Sequence, residues 1–383
     1  MAALFFAVSL LGAHPQARAA SKAVPLAFEP PAGFRPAGPL DPADPFAAIL
    51  PSGRLVVPEG TSVVVGMDAL AFTLTPDGRY AIVANCDGRD DGARNTLDPR
   101  VQGGYSLSVV DVATMHLVEQ YRAPGATFFA GIVAIPDPLD RTQTLVFASG
   151  GASNAVYAFD LDAAGHLTPD RVVPSIAMPP AAAPQLANAG RAFPGTLVPS
   201  KNGARIYVVN NFANTVATID AGSRALAGRP IPVGFYPFGA ARAGERLLVS
   251  NEGLASYRML PAAVAAPAFR NVRDDRERAS TLSVIPLGAE GVPQAERTSS
   301  LVLEAPPDGR QTIGGAHPAA VVATRDGRHA FVALTNLDRI AVVAFDKARP
   351  RVAGGTDLRL YDGAPYGTQP VALALALELP PTA

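Results

Sequence analysis

The sequence repeats one hairpin: an apolar strand, a turn built on Asp-Gly or Asn-Gly, and a second apolar strand that runs towards Asn. The clearest copies span residues 75–85, 200–211 and 324–333. Asp-Gly and Asn-Gly supply the positive φ angles that a tight hairpin needs. One such hairpin can arise by chance. Its return across most of a chain of 383 residues indicates stacked units that share a core.

The chain divides into units of strands, which start near residues 66, 128, 192, 233 and 313. The third unit, residues 192–231, has the length of one four-stranded propeller blade, about 40 to 45 residues. Strands 80–84 and 206–209 are almost continuously apolar, as expected when both faces of a sheet are covered. We therefore predict an all-β fold, a β-propeller of six to seven four-stranded antiparallel blades closed by strands from both termini. Longer loops are predicted within residues 87–104, 179–190 and 270–278.

The last unit begins a blade that the chain does not finish. Residues 362–375 match the approach to earlier first strands, but the sequence then ends in a Pro-rich stretch. Either residues 54–65 complete this blade, or it is truncated. We favour completion, because an open sheet edge promotes aggregation. The predicted propeller domain is residues 51–383.

The amino terminus predicts export. Residues 1–20 combine an apolar segment with a small-residue cleavage site, which indicates a signal peptide, although the segment lacks Lys and Arg before it and an uncleaved anchor remains an alternative. Residues 21–50 are rich in Pro and Ala and are predicted to form an extended arm. We expect a secreted or periplasmic bacterial protein without a membrane span in the mature chain. Cys86 is the single cysteine, so packing must stabilise the fold.

The charge balance argues against a nucleic-acid partner. The formal net charge is -1, and no basic stripe with interleaved aromatic residues is present. We expect a monomer.

Residues 206–220, which contain Tyr207-Val208-Val209-Asn210 and Asn214-Thr215-Val216, resemble the YVTN-repeat β-propeller family, with Val209 in place of its Thr. The resemblance covers about residues 66–375 and is specific for fold only, because this family includes binding modules, lactonase-like enzymes and propellers fused to catalytic domains. The chain also resembles the propeller part of secreted bacterial propeller/phosphoesterase proteins. A phosphoesterase domain would need a metal-binding Asp/His set and a nucleophile downstream, and these 383 residues contain none.

Catalytic and metal-binding patterns are weak. Residues 151–155 approach a nucleophile elbow but lack its last glycine, and His116, His166, His317 and His329 include no pair at ligand spacing. The acidic loop of residues 87–92 is interpreted as a solvated turn. We predict no catalytic residue, no metal and no cofactor.

The candidate binding site is the mouth of the ring, where second strands end. Polar residues follow these strands. In addition, a His-Pro pair, His317-Pro318, precedes a first strand, and this is similar to lactonase-type propellers. The candidates are Asn85, Asn210, Asn211, Asn251, Glu252, His317 and Asn336, with Asp68, Tyr236 and Arg310 as weaker members. Turn geometry alone is the alternative explanation for the Asn residues, and a strand start is the alternative for His317.

These observations predict a non-catalytic binding or interaction module for an unknown protein or small-molecule ligand. One alternative is a lactonase-like hydrolase that uses His317. Another is the propeller half of a bifunctional phosphoesterase protein. A redox propeller would need a cofactor ligand set, which the chain does not offer.

Overall fold

The computed structural model describes residues 38–41, 44–49, 55–58, 60–86, 101, 103–174, 191–253, 279–303, 315–346, 349–359 and 369–375. They belong to two units, residues 1–62 and 63–383, which are described separately. Within the described ranges the helical segments are short 3-10 turns, and none is long and apolar enough to cross a membrane. The predicted signal peptide, the loops at 87–100, 179–190 and 270–278, and Arg310 lie outside these ranges.

The smaller unit contains a three-stranded antiparallel sheet in the order β1 (Gly38–Asp41), β2 (Asp44–Ile49) and β3 (Leu55–Val56). Two of these strands lie in the stretch predicted to be an arm without strands, so that prediction is wrong for residues 38–41 and 44–49. Ala47 and Ile49 alternate towards a buried face. Two alternating residues in a short segment between Pro45 and Pro51 are too short a pattern to identify a strand from the sequence.

The described residues of the larger unit form five antiparallel sheets, each built from strands that are consecutive in the chain. The first sheet has β4 (Ala69–Leu74), β5 (Tyr80–Asn85), β6 (Ser106–Asp111) and β7 (His116–Tyr121). The second has β8 (Ile132–Pro136), β9 (Thr144–Ser149), β10 (Ala155–Leu161) and β11 (Leu167–Pro174). The third has β12 (Pro194–Pro199), β13 (Arg205–Asn210) and β14 (Thr215–Asp220), with β15 (Ala225–Leu226) and β16 (Ile231–Pro232) both paired to β14 as a divided fourth strand.

The fourth sheet has β17 (Pro237–Arg242), β18 (Arg246–Asn251), β19 (Thr281–Pro286) and β20 (Ser299–Val302). The fifth has β21 (Pro318–Ala323), β22 (His329–Leu334), β23 (Arg339–Ala344) and β24 (Arg351–Asp357). These sheets follow the units predicted from the sequence and are called blades one to five.

The predicted hairpin turns are confirmed, and each joins the first strand of a blade to the second. A Ser or Thr begins the turn, its carbonyl accepts the N–H of the turn glycine, and its side-chain oxygen accepts the N–H that opens the second strand. The glycines have φ between +67° and +74° in all three copies, a region that favours Gly. The N–H to side-chain distances are 3.0 Å for Tyr80 to Thr75, 3.0 Å for Arg205 to Ser200 and 3.1 Å for His329 to Thr324.

Consecutive blades stack face to face. A separate apolar core lies between each neighbouring pair, such as Ile82 and Leu107 against Ile132 and Phe159 between blades one and two. The first strand of each blade contacts the first strand of the next, from β4 through β8, β12 and β17 to β21. Stacked antiparallel sheets with adjacent first strands are the arrangement of a β-propeller, which confirms the predicted fold class.

Blades three and four begin with the same contact, which we call the blade clamp. An Asn or Asp directly before the third strand of one blade accepts the N–H of the residue before the first strand of the next. The distances are 3.1 Å from Phe193 to Asn154 and 2.8 Å from Tyr236 to Asn214. Asn211 adds a bond to the carbonyl of Pro237 at 2.8 Å. The clamp fixes where a first strand starts relative to the preceding blade.

The same clamp recurs after blade five. The N–H of Gln369 donates to Asp338 at 2.8 Å, and the Thr335 hydroxyl donates to the Pro370 carbonyl at 2.8 Å. No strand is assigned to residues 369–375, but their contacts are those that start a blade. On the far side of blade one, β4 exposes apolar side chains, with Phe72 at 70%. Both observations support a further blade, while the total of six to seven blades and closure by both termini stay predictions.

Candidate functional site

The mouth of the propeller is formed where first strands begin and second strands end. In blades one, three, four and five the residue before the first strand accepts a backbone hydrogen bond from the residue after the second strand. These pairs are Asp68 with Cys86, Phe193 with Asn211, Tyr236 with Glu252, and His317 with Thr335, at 3.0 to 3.2 Å. In these four blades the repeat therefore places one pair of residues at the same end of the ring.

The residue before the first strand has an unusual backbone. Asp68, Phe193, Tyr236, His317 and Gln369 all have φ between +46° and +54°, the left-handed region that non-glycine residues rarely adopt. Such strain costs about 1 kcal/mol or more per residue and often accompanies functional sites. The chain nevertheless carries a large or polar side chain at each of these positions.

Three of the predicted Asn residues are internal. Asn85, Asn210 and Asn251 end their second strands, and their side chains are fully buried. The Asn85 amide donates to Ser106 and Ser108, and the Asn251 amide donates to Thr281 and Ser283. The Asn210 amide donates to the Thr215 hydroxyl at 3.3 Å. Each amide thus joins the second strand of its blade to the third.

The other predicted residues are half-buried at the mouth. Asn211 takes part in the blade clamp, and Asn336 lies in the 3-10 turn after β22. Glu252 and His317 come together across the boundary between blades four and five: the distance from Glu252 Oε2 to His317 Nε2 is 3.3 Å. Their side chains are 22% and 41% exposed, while the Nδ1 atom of His317 is buried without a hydrogen-bond partner among the described residues.

Burial disfavours the charged form of both members of this pair. It raises the pKa of the Glu252 carboxyl to about 7, and it lowers the pKa of His317. Burial and the nearby Glu252 raise the pKa of Tyr236. At neutral pH the carboxyl is therefore about half protonated beside a neutral imidazole, which is the state in which such a pair can accept or donate a proton.

The raised pKa of Glu252 predicts a pH dependence of stability. Because the folded state holds this proton more tightly, the contribution is complete below pH 4.5 and is lost as the pH rises through about 7. We expect the parent protein to lose up to about 3 kcal/mol more unfolding free energy than Glu252→Gln between pH 5 and pH 8. Urea titrations at both pH values measure this difference. The lowered pKa of His317 has the opposite effect on stability, but this effect is present in both the parent protein and Glu252→Gln. If the unfolding free energies of the two proteins changed equally with pH, the raised pKa of Glu252 would be contradicted.

A row of half-buried aromatic rings leads to the pair. Phe129 meets Phe193 at 5.0 Å between ring centroids, Phe193 meets Phe212 at 4.4 Å, and Phe212 meets Tyr236 at 6.4 Å. We call these four rings the aromatic arc. It spans blades two to four and ends at Tyr236, next to Glu252. The mouth therefore offers an apolar wall with a polar end.

The sequence did not identify Phe129, Phe193 or Phe212 as site residues. A usable signal was present, since Phe193-Pro194 and Tyr236-Pro237 match His317-Pro318 in position before a first strand. Among the described residues no group of three or more His, Cys, Asp or Glu side chains is arranged to hold a metal ion. The acidic loop at residues 87–92 lies outside the described ranges.

Comparison with known proteins shows the fold. No family model and no curated protein sequence matches the chain. Among solved structures, a protein from Lactobacillus plantarum is similar with a TM-score of 0.55 and 12% identity, over 82% of this chain and 77% of that one. Hydrazine synthase from Kuenenia stuttgartiensis has a TM-score of 0.52 and 17% identity, over 79% and 70%. The periplasmic gluconolactonase PpgL from Pseudomonas aeruginosa has a TM-score of 0.48 and 18% identity, over 80% and 74%. The first two likenesses establish a shared fold and, at these identities, no activity.

Proposed function

We propose that this protein is a YVTN-type β-propeller that binds a small molecule at its mouth without transforming it. The observation that carries the proposal is the aromatic arc, which runs over three blades and ends at the Glu252–His317 pair. Ligand sites are concave and mostly apolar, with a few converging polar groups that orient the ligand. Left-handed backbone at Phe193, Tyr236 and His317 aims these side chains from a rigid frame.

The proposal includes export and a monomeric state. The apolar leader in residues 1–20 supports secretion or a periplasmic location, and the repeat within residues 206–220 supports the YVTN type. Of the predicted Asn set, Asn211 and Asn336 remain candidate ligand contacts. The buried amides of Asn85, Asn210 and Asn251 support the site from within the blades.

Binding can be tested without knowing the ligand. The purified protein is screened against a metabolite library by thermal shift, and each hit is repeated with Tyr236→Ala and Phe212→Ala. We expect ligands whose apparent affinity, derived from the thermal shift, is at least tenfold lower for both variants than for the parent protein. Each variant loses an aromatic contact worth about 1.5 kcal/mol or more. Leu139→Ala removes a comparably apolar side chain that is 74% exposed in the turn between β8 and β9, at the opposite end of the blade, and serves as the control.

Tyr236→Phe serves as a second test in case Tyr236→Ala does not fold, since it removes only the hydroxyl group. Hits that bind all variants equally, or a library without hits, would argue against a small-molecule site at the mouth.

The Glu252–His317 pair favours one alternative, a lactonase-like hydrolase. In this reaction one member of the pair takes a proton from water, the resulting hydroxide adds to the lactone carbonyl, and the ring oxygen leaves with a proton returned by the pair. Loss of sugar-lactone hydrolysis in His317→Ala and in Glu252→Gln would favour this alternative. Hydrolysis that neither substitution changes would exclude it.

A further inference from the structure

We propose that Ser280 is a positioning residue, which holds Glu252 so that its carboxyl group reaches His317 in the next blade. This inference rests on the small-molecule binding proposed above and deepens it, because it adds a residue that acts on the site through Glu252. Ser280 directly precedes β19, the third strand of blade four, and its side chain is buried. The sequence did not identify it as a site residue.

Ser280 occupies the position that carries the blade clamp in blades two, three and five. The clamp residues there, Asn154, Asn214 and Asp338, each accept the N–H of the residue that precedes the next first-strand segment. Their φ angles lie between +49° and +55°, in the left-handed region, whereas the φ angle of Ser280 is negative. The Ser280 hydroxyl donates within its own blade, to the carbonyl of Glu252 at 2.8 Å. Blade four therefore uses this position to hold its own mouth residue.

The bond from Ser280 completes the backbone anchoring of Glu252. The N–H of Glu252 donates to the carbonyl of Tyr236 at 3.0 Å, so both of its backbone polar groups have partners. Ser280 is held in turn, because its carbonyl accepts the N–H of Leu303 at 2.9 Å. Glu252 directly follows the last residue of β18, and the ends of elements open more readily than their interiors. The hydroxyl of Ser280 thus fixes a residue that the strand itself holds weakly.

A fixed backbone at Glu252 determines where its carboxyl group lies. The contact from Glu252 Oε2 to His317 Nε2 spans two blades and measures 3.3 Å. The backbone of His317 is also held, since its carbonyl accepts the N–H of Thr335 at 3.2 Å. Groups of a binding site need such support, because a displacement of about 0.5 Å already disturbs their geometry. Loss of the Ser280 hydroxyl releases the Glu252 side of this contact.

The pKa of Glu252 tests the inference without a ligand. Burial raises this pKa to about 7, and Tyr236 and His317 are the titratable side chains that interact with the carboxyl in the described part of the chain. NMR titration of protein labelled with ¹³C at its Glu carboxyl groups measures it, with Glu252→Gln to assign the signal. In Ser280→Ala we expect the carboxyl to gain access to water, so that its acid dissociation constant rises about tenfold. Ser280→Thr keeps the hydroxyl group and should keep the parent pKa.

Ser200→Ala is the matched control. Ser200 is also buried, and its hydroxyl oxygen also bonds to the backbone, since it accepts the N–H of Arg205 at 3.0 Å. It lies in the turn between β12 and β13, at the opposite end of the propeller. We expect this variant to lose stability and to keep the parent pKa of Glu252. Ser280→Cys has a similar size and only a weak donor, and it replaces Ser280→Ala if that variant does not fold.

Ligand affinity gives a second measurement. For a compound from the metabolite library whose binding depends on Tyr236, we expect an affinity on the order of fivefold weaker in Ser280→Ala, as for the loss of one hydrogen bond. Ser280→Thr and Ser200→Ala should bind it as the parent protein does.

The outcomes separate this inference from the proposed function. An unchanged Glu252 pKa in Ser280→Ala, or an equal change in Ser200→Ala, overturns the inference, because the hydroxyl then contributes to stability alone. Parent affinity for the ligand in Ser280→Ala also overturns it and leaves the binding function standing. If the pKa changes as expected while no library compound depends on Tyr236, the positioning of Glu252 stands and the proposed binding function is wrong.

Discussion

Gly131→Ala is expected to destabilise the propeller strongly, although it adds only one methyl group. A Cβ atom at Gly131 would lie 2.0 Å from the carbonyl oxygen of Gly195 in the next blade and 2.9 Å from Ser149 Oγ. The first obstacle is backbone, so a rotamer change cannot relieve it. We expect a loss of about 3 kcal/mol or more in unfolding free energy, at the upper end of overpacking effects. Urea unfolding followed by circular dichroism measures it.

Gly354→Ala is the matched control. Gly354 lies in the exposed outer strand β24, and a Cβ there meets nothing within 4 Å. Its substitution should change stability by less than about 0.5 kcal/mol. Gly239→Ala should behave like Gly131→Ala, because its Cβ would approach the Ala319 carbonyl oxygen to 2.2 Å. Equal stability of Gly131→Ala and Gly354→Ala would mean that first strands of adjacent blades are further apart than described.

Asn251→Ala is expected to lower stability without acting through a ligand. The Asn251 amide is fully buried and donates to Thr281 Oγ1 and Ser283 Oγ, both at 2.9 Å. Its removal leaves a cavity and two buried hydroxyls without this donor. We expect a loss of about 2 to 4 kcal/mol, since an unsatisfied buried polar group costs about 1 to 3 kcal/mol and the cavity adds to it.

The matched comparison is Asn336→Ala, at the half-buried position after β22, where we expect a loss below about 1 kcal/mol. Thermal and urea unfolding measure both variants. If Asn251→Ala kept the melting temperature of the parent protein and lost ligand binding, Asn251 would be a ligand contact, as first predicted, and the structural role would be contradicted.

The local part of the fold was predictable because its signals are contiguous. A turn such as Thr75-Pro76-Asp77-Gly78 carries its own hydrogen-bond acceptors, the side-chain oxygens of Thr75 and Asp77, and its own positive-φ residue. The hairpin can therefore be identified without knowledge of the partner blade. The stacking of whole blades then followed from the continuous apolar strands.

The site was only partly predictable, because its contacts cross blades. Glu252 and His317 were both candidates, but nothing local indicates that residues 65 positions apart meet at 3.3 Å. Asn251 and Glu252 are adjacent in the chain and point to different environments, one into the blade and one to the mouth. Strand alternation decides this outcome, and a one-residue difference in register reverses it. Phe193 and Phe212 are brought together by the pairing of β12 with β13, where the Phe212 N–H donates to the Ala192 carbonyl at 3.1 Å.

The blade clamp holds the backbone at the mouth without using the side chains that determine the chemistry of the mouth. The clamp uses the backbone N–H of the residue before a first strand, held by Asn214 for Tyr236 and by Asp338 for Gln369. The side chain of that residue takes no part in the bond. A Phe, Tyr or Gln can therefore occupy this position while the clamp is kept. Exchanging one side chain per blade is then a route by which evolution or a protein engineer can alter ligand selectivity while leaving the scaffold intact.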